Sequence, residues 1–359
     1  MTLPNTSISQ QTITINGKFY SRDDILTMKH SPFSNSLLFF LKEWFNDSPC
    51  VTVQTSGSTG VPKKMEVEKL RMLQSAYLTC RFLGLEKGNS ALLCMDLKYI
   101  GAKMVVVRSL LAELNLIPAE VSGYPLKNAL PTDFAAMTPM QVFNTLQNKE
   151  QREKLENIRH LIIGGGAVDA SLTKELASFP CAVWSTYGMT ETLSHIALRQ
   201  INGKDASDWY TPLEGVDVSL SDNQTLVIEA PLIAKEILET NDLAEINEKG
   251  QFRISGRRDN IINSGGIKIQ IEEAERLLRE SILTDFLITS AKDPKFGESV
   301  VLLVKDERYS TTQLQKICRT QLPPYWIPKA IFLVPDIPCT ETNKPDRKRG
   351  KAIAEKLYR

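Results

Sequence analysis

The sequence contains no CxxC pair. Its six cysteines, at positions 50, 80, 94, 181, 318 and 339, are scattered, which argues against a zinc site and a disulfide framework and points to a reducing compartment. Net charge is almost absent. Lys plus Arg number 43 against 42 Asp plus Glu, so no global field recommends nucleic acid or an anionic membrane, and any anion has to be bound locally. No window approaches about 18 consecutive apolar residues, and residues 1–10 are polar, without the basic-then-apolar pattern of a signal peptide. A soluble, cytoplasmic protein with no stable membrane insertion is the expectation. No internal repeat or low-complexity tract occurs. With 359 residues, 42% hydrophobic and 24% charged, there is room for two domains and a sizeable core.

What is present begins with residues 55–64, Thr-Ser-Gly-Ser-Thr-Gly-Val-Pro-Lys-Lys. They follow a short β-prone run, residues 51–54, and precede a helical run from about Glu68. Glycines allow close backbone approach, turn amides and hydroxyls offer donors to anionic oxygens, and the lysines add positive charge, which together describe a polyphosphate cradle. It is not a Walker A loop, because Pro62 stands where that motif needs its second glycine and no hydroxyl follows the lysines.

Downstream, the pattern predicts a strand pair within residues 11–30, an apolar helix over 34–45, a helix over 70–83 and a buried strand over 91–95. A polar turn, residues 96–103, then opens an apolar helix over 104–111. Residues 158–163 form an apolar run that ends in Gly164, Gly165, Gly166 and Ala167, followed by a helix over 171–178. Residues 181–185 read as the next strand, ending in Thr-Tyr-Gly-Met-Thr-Glu-Thr at 186–192. Alternating strands and helices imply a largely parallel sheet whose ligands gather at strand ends, where both glycine turns sit. From 209 to 255 short alternating strands predict a β-rich subdomain. After a polar joint at 256–260 comes a compact α+β unit. The fold class expected is therefore α/β and α+β: residues 1–258 as a large domain with a mostly parallel sheet and a β-rich subdomain, and residues 259–359 as a small α+β domain.

Together these stretches resemble the adenylate-forming acyl-CoA synthetases. Residues 55–64 look like the family's phosphate loop, 185–192 like its Tyr-Gly-x-Thr-Glu motif, Thr240-Asn241-Asp242 like its Thr-Gly-Asp, and Gly256-Arg257 with Asp259 like its hinge segment. Residues 338–347 look like its terminal lysine motif. The resemblance covers nearly everything after residue 50. It implies a mobile C-terminal domain and an AMP-forming ligase that uses ATP, CoA and Mg²⁺. Thr55, Ser56, Gly57, Ser58, Thr59, Gly60 and Lys63 would hold the departing phosphates; Tyr187 and Gly188, with Gly164 to Ala167, would hold adenine. Asp242 would bind the ribose diol and Arg257 would add a nearby charge. Glu191 would hold Mg²⁺, Thr190 would donate to the α-phosphate, and Lys344 would bridge carboxylate and α-phosphate. Asp259 would be the hinge, and Gly265, Gly266 and Lys268 would face the CoA arm.

The chain departs from the family pattern in a far shorter segment before the phosphate loop, and in Asn343 and Asn241 standing where glycines are usual. Asparagine tolerates positive φ better than other non-glycine residues, so both loops are expected to form. Residues 133–139 and 187–199 most resemble the branch whose substrate is an aromatic dicarboxylate. Such an acid needs a polar group for the carboxylate that does not react. Ser194 and His195 rank first for that task, with Lys98, Lys103 and Arg108 as cations within reach. The open alternatives are another acyl-CoA ligase, a stand-alone adenylation domain, or an inactive nucleotide-binding regulator. Oligomeric state is not indicated.

Overall fold

The computed structural model describes residues 7–54, 64–305, 308–340 and 345–358. The chain divides into two compact units, one comprising Met1–Ser219, Val227–Leu238 and Ile246–Phe252, the other Leu220–Leu226, Glu239–Glu245 and Arg253–Arg359.

The first unit opens with a hairpin, β1 (Ile13–Ile15) and β2 (Lys18–Tyr20), then helices α1 (Arg22–Thr27) and α2 (Asn35–Phe45). Ser34 caps α2 by accepting the Leu37 N–H, and Leu37, Leu38, Leu41, Trp44 and Phe45 recur at helical spacing as its buried stripe. Strands β3 (Cys50–Gln54) and β4 (Lys64–Glu68) pair only with each other, and α3 (Lys69–Leu83) follows. Next come β5 (Ser90–Leu93), α4 (Ile100–Leu111), β6 (Asn115–Pro118), β7 (Phe134–Met137), α5 (Pro139–Leu146), α6 (Lys149–Glu156), β8 (His160–Ile163), α7 (Ala170–Leu176), β9 (Val183–Gly188), β10 (His195–Gln200) and β11 (Thr211–Pro212).

These strands build a nine-stranded sheet in the order β11-β10-β9-β8-β7-β5-β6-β1-β2. From β9 to β1 every pairing is parallel, as the strand–helix alternation predicts. The order reverses at β5, which has β6 on one side and β7 on the other. In such sheets ligands bind beyond the carboxyl ends of the strands near the reversal. Here those ends are Thr138 after β7, Gly164 to Gly166 after β8, and Met189 to Glu191 after β9. Thr138 also caps α5 through a reciprocal bond with Gln141, so the turn after β7 is fixed by its own sequence.

Four strands, β12 (Asp217–Leu220), β13 (Thr225–Glu229), β14 (Leu238–Ile246) and β15 (Phe252–Arg257), form a further sheet in that order, the β-rich region expected from 209 to 255. Asn241 lies within β14 and is not among the described residues with positive φ. The backbone at 241 therefore does not use the freedom a glycine would give, and the expected need for tolerance of positive φ does not arise.

The second unit carries β16 (Ile261–Ser264), β17 (Ile267–Gln270), α8 (Ile271–Arg279), β18 (Phe286–Asp293), β19 (Gly297–Val304), α9 (Thr311–Gln321), β20 (Ala330–Leu333) and α10 (Arg347–Leu357). The apolar runs of β18 and β19 are buried on both faces. Phe286, Ile288, Val300, Leu302 and Val304 pack with α8 and α9 residues such as Leu278 and Leu314, whereas Leu287, Val301 and Leu303 pack with Ala354 of α10. That alternation follows from the period of two along a strand. Ser264 pairs with Ile267, so Gly265 and Gly266, at φ +59° and +84°, form a two-residue hairpin turn of the kind that needs positive φ twice. The two glycines thus have a structural task at this turn.

Candidate active site

Strand β9 runs through Tyr187 to Gly188, past the expected end at 185, and returns as β10 after a tight turn. A Cβ on Gly188 would lie 2.1 Å from Ser194 O, so only glycine lets β9 and β10 approach this closely. Thr192, fully buried, fixes the turn. Its Oγ1 accepts the Met189 N–H at 2.9 Å and lies 2.7 Å from Ser194 O. Leu193 holds φ +62°, an unfavourable region for a bulky side chain, while Ser194 N–H donates to Thr192 O at 2.7 Å. The pairing shifts register between His195 and Ala197. Strain and a bulge in one turn re-aim the side chains on either side of it.

Two of those side chains are Ser194 and His195, and they meet Arg108 of α4 and Thr79 of α3. Arg108 Nη2 donates to Ser194 Oγ at 2.8 Å and to Thr79 Oγ1 at 3.3 Å. His195 Nε2 lies 3.0 Å from Thr79 Oγ1 and Nδ1 3.3 Å from Ser194 Oγ. Thr79 Oγ1 is also 3.1 Å from Ser75 O. One proton arrangement satisfies all of these contacts: His195 Nε2–H donates to Thr79, Thr79 donates to Ser75 O, and Ser194 donates to Nδ1. Arg108 is only 1% exposed. Among the described residues its Nε has no hydrogen-bond partner, and no carboxylate reaches it. Burial pulls its pKa down to about 10, so it remains charged at neutral pH. A buried cation without a counter-ion is costly, and a buried donor needs an acceptor.

Burial first, and the Arg108 charge second, hold His195 well below its ordinary pKa of 6.5. The unfolded chain protonates this histidine as pH falls through about 6.5 and the folded chain does not. Folded stability is therefore lost below that pH, by up to about 1.4 kcal/mol per pH unit for one such group, with no contribution above it. His195→Gln is expected to flatten the stability profile below about pH 6.5. Denaturant titrations over that range check it; an unchanged slope would contradict a neutral buried His195.

The Tyr187 ring sits 5.1 Å edge-on from Phe252 and 5.9 Å from Tyr210, and Tyr210 OH is 2.9 Å from Ser185 Oγ. Tyr187 is half-buried in this cluster, and Thr186 beside it on β9 lies against Gly164 of the glycine turn; an aromatic ring suits a planar base. Thr190 is nearly buried and Glu191 exposed, both on the turn after β9. In the second unit Arg257 lies between two carboxylates, with Nη1 3.6 Å from Asp242 Oδ1 and Nη2 3.5 Å from Asp259 Oδ2. Thr240, buried, accepts the Asp242 N–H at 3.0 Å. Among the described residues no cluster of three His, Cys, Asp or Glu could hold a metal. Mg²⁺ needs only one or two protein carboxylates when phosphates supply the rest, so exposed Glu191 fits such a role.

A family model described as AMP-binding enzyme matches residues 8–231. The chain belongs to the AMP-binding enzyme family. It is 26% identical over 295 residues to a 2-succinylbenzoate--CoA ligase of Salmonella typhimurium, covering 76% of this chain and 63% of that one. It is 24% identical over 340 residues to the protein of the same name from Listeria monocytogenes, covering 87% and 71%. The chain thus spans roughly two thirds of the length of these relatives. An acyl-CoA synthetase (AMP-forming)/AMP-acid ligase II-like protein from Dyadobacter fermentans superposes with a TM-score of 0.61 at 29% identity, over 91% of this chain and 97% of that one. The o-succinylbenzoate CoA synthetase of Bacillus subtilis, solved with its acyl-adenylate intermediate, shares the fold with a TM-score of 0.71 at 21% identity, covering 84% and 68%.

In this AMP-binding enzyme, Arg108, Ser194 and His195 come together, whereas Lys98 and Lys103 lie elsewhere. Lys98 is exposed, 3.6 Å from Asp96. Lys103 donates to Thr52 O, beside β3. Because α4 begins at Ile100 rather than after 103, Lys103 and Arg108 share one helix about 140° apart around its axis, and one pocket does not receive both. Thr55, Ser56, Gly57, Ser58, Thr59, Gly60, Lys63 and Lys344 lie outside the described residues. Lys268 is exposed on β17. Sequence reading missed Thr79 and Thr192.

Proposed function

We propose that this chain is an ATP-dependent acid–thiol ligase that converts o-succinylbenzoate to its CoA thioester in the cytoplasm, as a step of menaquinone biosynthesis. The observation that carries the substrate is the buried guanidinium of Arg108, with no carboxylate partner among the described residues, held by Ser194 and Thr79 beside His195, directly after the Tyr187–Glu191 motif. An aromatic dicarboxylate offers one carboxylate to react and a second to neutralise such a cation. The shared name of the curated relatives supports the same reading.

In the first half-reaction a substrate carboxylate oxygen attacks the α-phosphorus of ATP, and the bond to the β-phosphate oxygen breaks, releasing pyrophosphate. Tyr187 and the glycine turn at 164 to 166 hold adenine, Asp242 binds the ribose hydroxyls, Arg257 tempers that carboxylate, and Thr190 donates to the α-phosphate. Glu191 would hold Mg²⁺, which supplies charge neutralisation for the phosphates. Lys344 brings a cation between the two reacting anions. In the second half-reaction the CoA thiol attacks the acyl carbon and AMP leaves. Residues 1–258 hold nucleotide and acid in this reading, residues 259–359 carry Lys344, Asp259 is the hinge, and the Gly265 to Lys268 hairpin faces CoA.

ATP–pyrophosphate exchange with a panel of carboxylic acids tests the proposal. Exchange is expected with o-succinylbenzoate and weak or absent with benzoate and fatty acids. Exchange driven best by a monocarboxylate would move the substrate elsewhere, and no exchange with any acid would favour a nucleotide-binding regulator.

A further inference from the structure

Thr79, fully buried on α3, carries a hydroxyl that is used to capacity. Its Oγ1 lies 3.3 Å from Arg108 Nη2, 3.0 Å from His195 Nε2 and 3.1 Å from Ser75 O. A threonine hydroxyl offers one proton and two lone pairs. With the proton on Ser75 O, the lone pairs take the Arg108 and His195 donors. A threonine inside a helix commonly bonds the carbonyl four residues back and does no more than that. Here the same oxygen also joins α3 to α4 and to the first residue of β10.

The consequence lies in Arg108. Its Nη2 has two protons and two acceptors, Ser194 Oγ at 2.8 Å and Thr79 Oγ1 at 3.3 Å, so that corner of the guanidinium is engaged. Its Nε is buried with no partner among the described residues, which leaves a donor for a ligand. The two acceptors stand on separate elements, Ser194 in the turn between β9 and β10 and Thr79 on α3. Two such points fix the plane of a guanidinium that one alone would let pivot. Helix α3 is itself tied down at its end: the Phe82 ring meets Trp184 of β9 edge-on at 4.9 Å, and Arg81 Nη1 lies 2.6 Å from Glu214 Oε2. A cation on a long side chain that is held still in advance does not have to be ordered when its ligand binds.

We infer that Thr79 is a positioning residue for the substrate's second carboxylate, aiming the Arg108 guanidinium without touching the acid itself. This role rests on the reading of Arg108 as that carboxylate's partner. His195 enters through the same oxygen. By donating from Nε2 it leaves the Thr79 proton on Ser75 O and the other lone pair for Arg108.

Steady-state kinetics of the full chain with o-succinylbenzoate test this in Thr79→Val, Thr79→Ser, Arg108→Met and the double variant of Thr79→Val with Arg108→Met. Valine keeps the branched shape but not the acceptor, and is expected to raise KM for the acid about tenfold with kcat within about threefold. Serine keeps the hydroxyl and is expected to stay within about twofold of the unsubstituted protein. In the Arg108→Met background, Thr79→Val is expected to lower kcat/KM by no more than about a further twofold, because the group it aims is gone. Thr79→Cys, whose sulfur accepts weakly, is expected to show a smaller rise in KM and serves if Thr79→Val does not fold. An unchanged KM in the valine and cysteine variants, a serine variant as impaired as valine, or a full loss that persists in the Arg108→Met background overturns the positioning role. If Arg108→Met leaves kcat/KM for the acid unchanged, the carboxylate reading fails and the role of Thr79 with it. If Arg108→Met is impaired and the Thr79 variants are not, the role of Thr79 alone fails.

Discussion

Replacing Arg108 with methionine is expected to lower kcat/KM for o-succinylbenzoate by about 10²-fold or more, because truncating one side of a buried charge pair costs several kcal/mol. Turnover of a simple aromatic monocarboxylate, which never engages the guanidinium, is expected to change by no more than about threefold. The same substitution is expected to leave the melting temperature of the free protein unchanged or to raise it. Arg108 is buried with no carboxylate partner among the described residues and with an unpartnered Nε, and exchanging such a charge for a well-packed apolar chain is typically neutral or stabilising. Ser194 and Thr79 keep other partners when the guanidinium is gone. The two readouts move in opposite directions only if the cation serves the ligand. Steady-state kinetics with both acids and a thermal melt check this. A melting temperature lower by many degrees, or an equal loss on both acids, would mark Arg108 as a structural cation instead.

Lys344→Ala is expected to slow adenylation by about 10²- to 10³-fold, the usual effect of removing one preorganised charge from a developing transition state. Transfer of the acyl group from supplied acyl-adenylate to CoA is expected to fall by no more than a few fold, because in that step no two anions have to be brought together. Single-turnover assays of each half-reaction separate the effects. Equal loss of both would contradict the division of labour, in which the lysine serves only the first bond-forming step. The melting temperature gives the control. Arg347 anchors the start of α10 through a bidentate pair with Glu275 at 2.8 and 3.0 Å, and Asp346 caps that helix.

The legible parts of this fold are those whose signals are local. Apolar runs broken by glycine identified β8 and its turn, and the run at 181–185 found β9, although the strand continues through Tyr187 because it pairs with β10 on the far side of a turn. Helix α2 was readable from Ser34 and its apolar stripe. The period-two pattern of Lys64-Met65-Glu66-Val67-Glu68 was short enough to pass as a lead-in to α3, so the ribbon partner of β3 was not foreseen. Among the site candidates, Ser194, His195 and Arg108 are singled out by chemistry and proximity to a motif, and the structure brings their side chains together. Lys103 groups with them only if the helix starts after residue 103; with α4 starting at Ile100, the two cations face different neighbours. Thr79 was out of reach for another reason. It meets His195 across 116 residues of sequence, and no local pattern encodes a contact that only the packing of α3 against β10 creates. The paired glycines at 265 and 266 suggested close ligand approach, yet a two-residue hairpin with positive φ at both positions already requires them.

The most direct test of the account is to incubate the purified chain with ATP, Mg²⁺, CoA and o-succinylbenzoate and to follow AMP and thioester together. The account predicts AMP and the o-succinylbenzoyl thioester in equal amounts, both dependent on CoA and both far above the rates with benzoate or a fatty acid. Thioester formed faster from a monocarboxylate, or release of ADP in place of AMP, would contradict it.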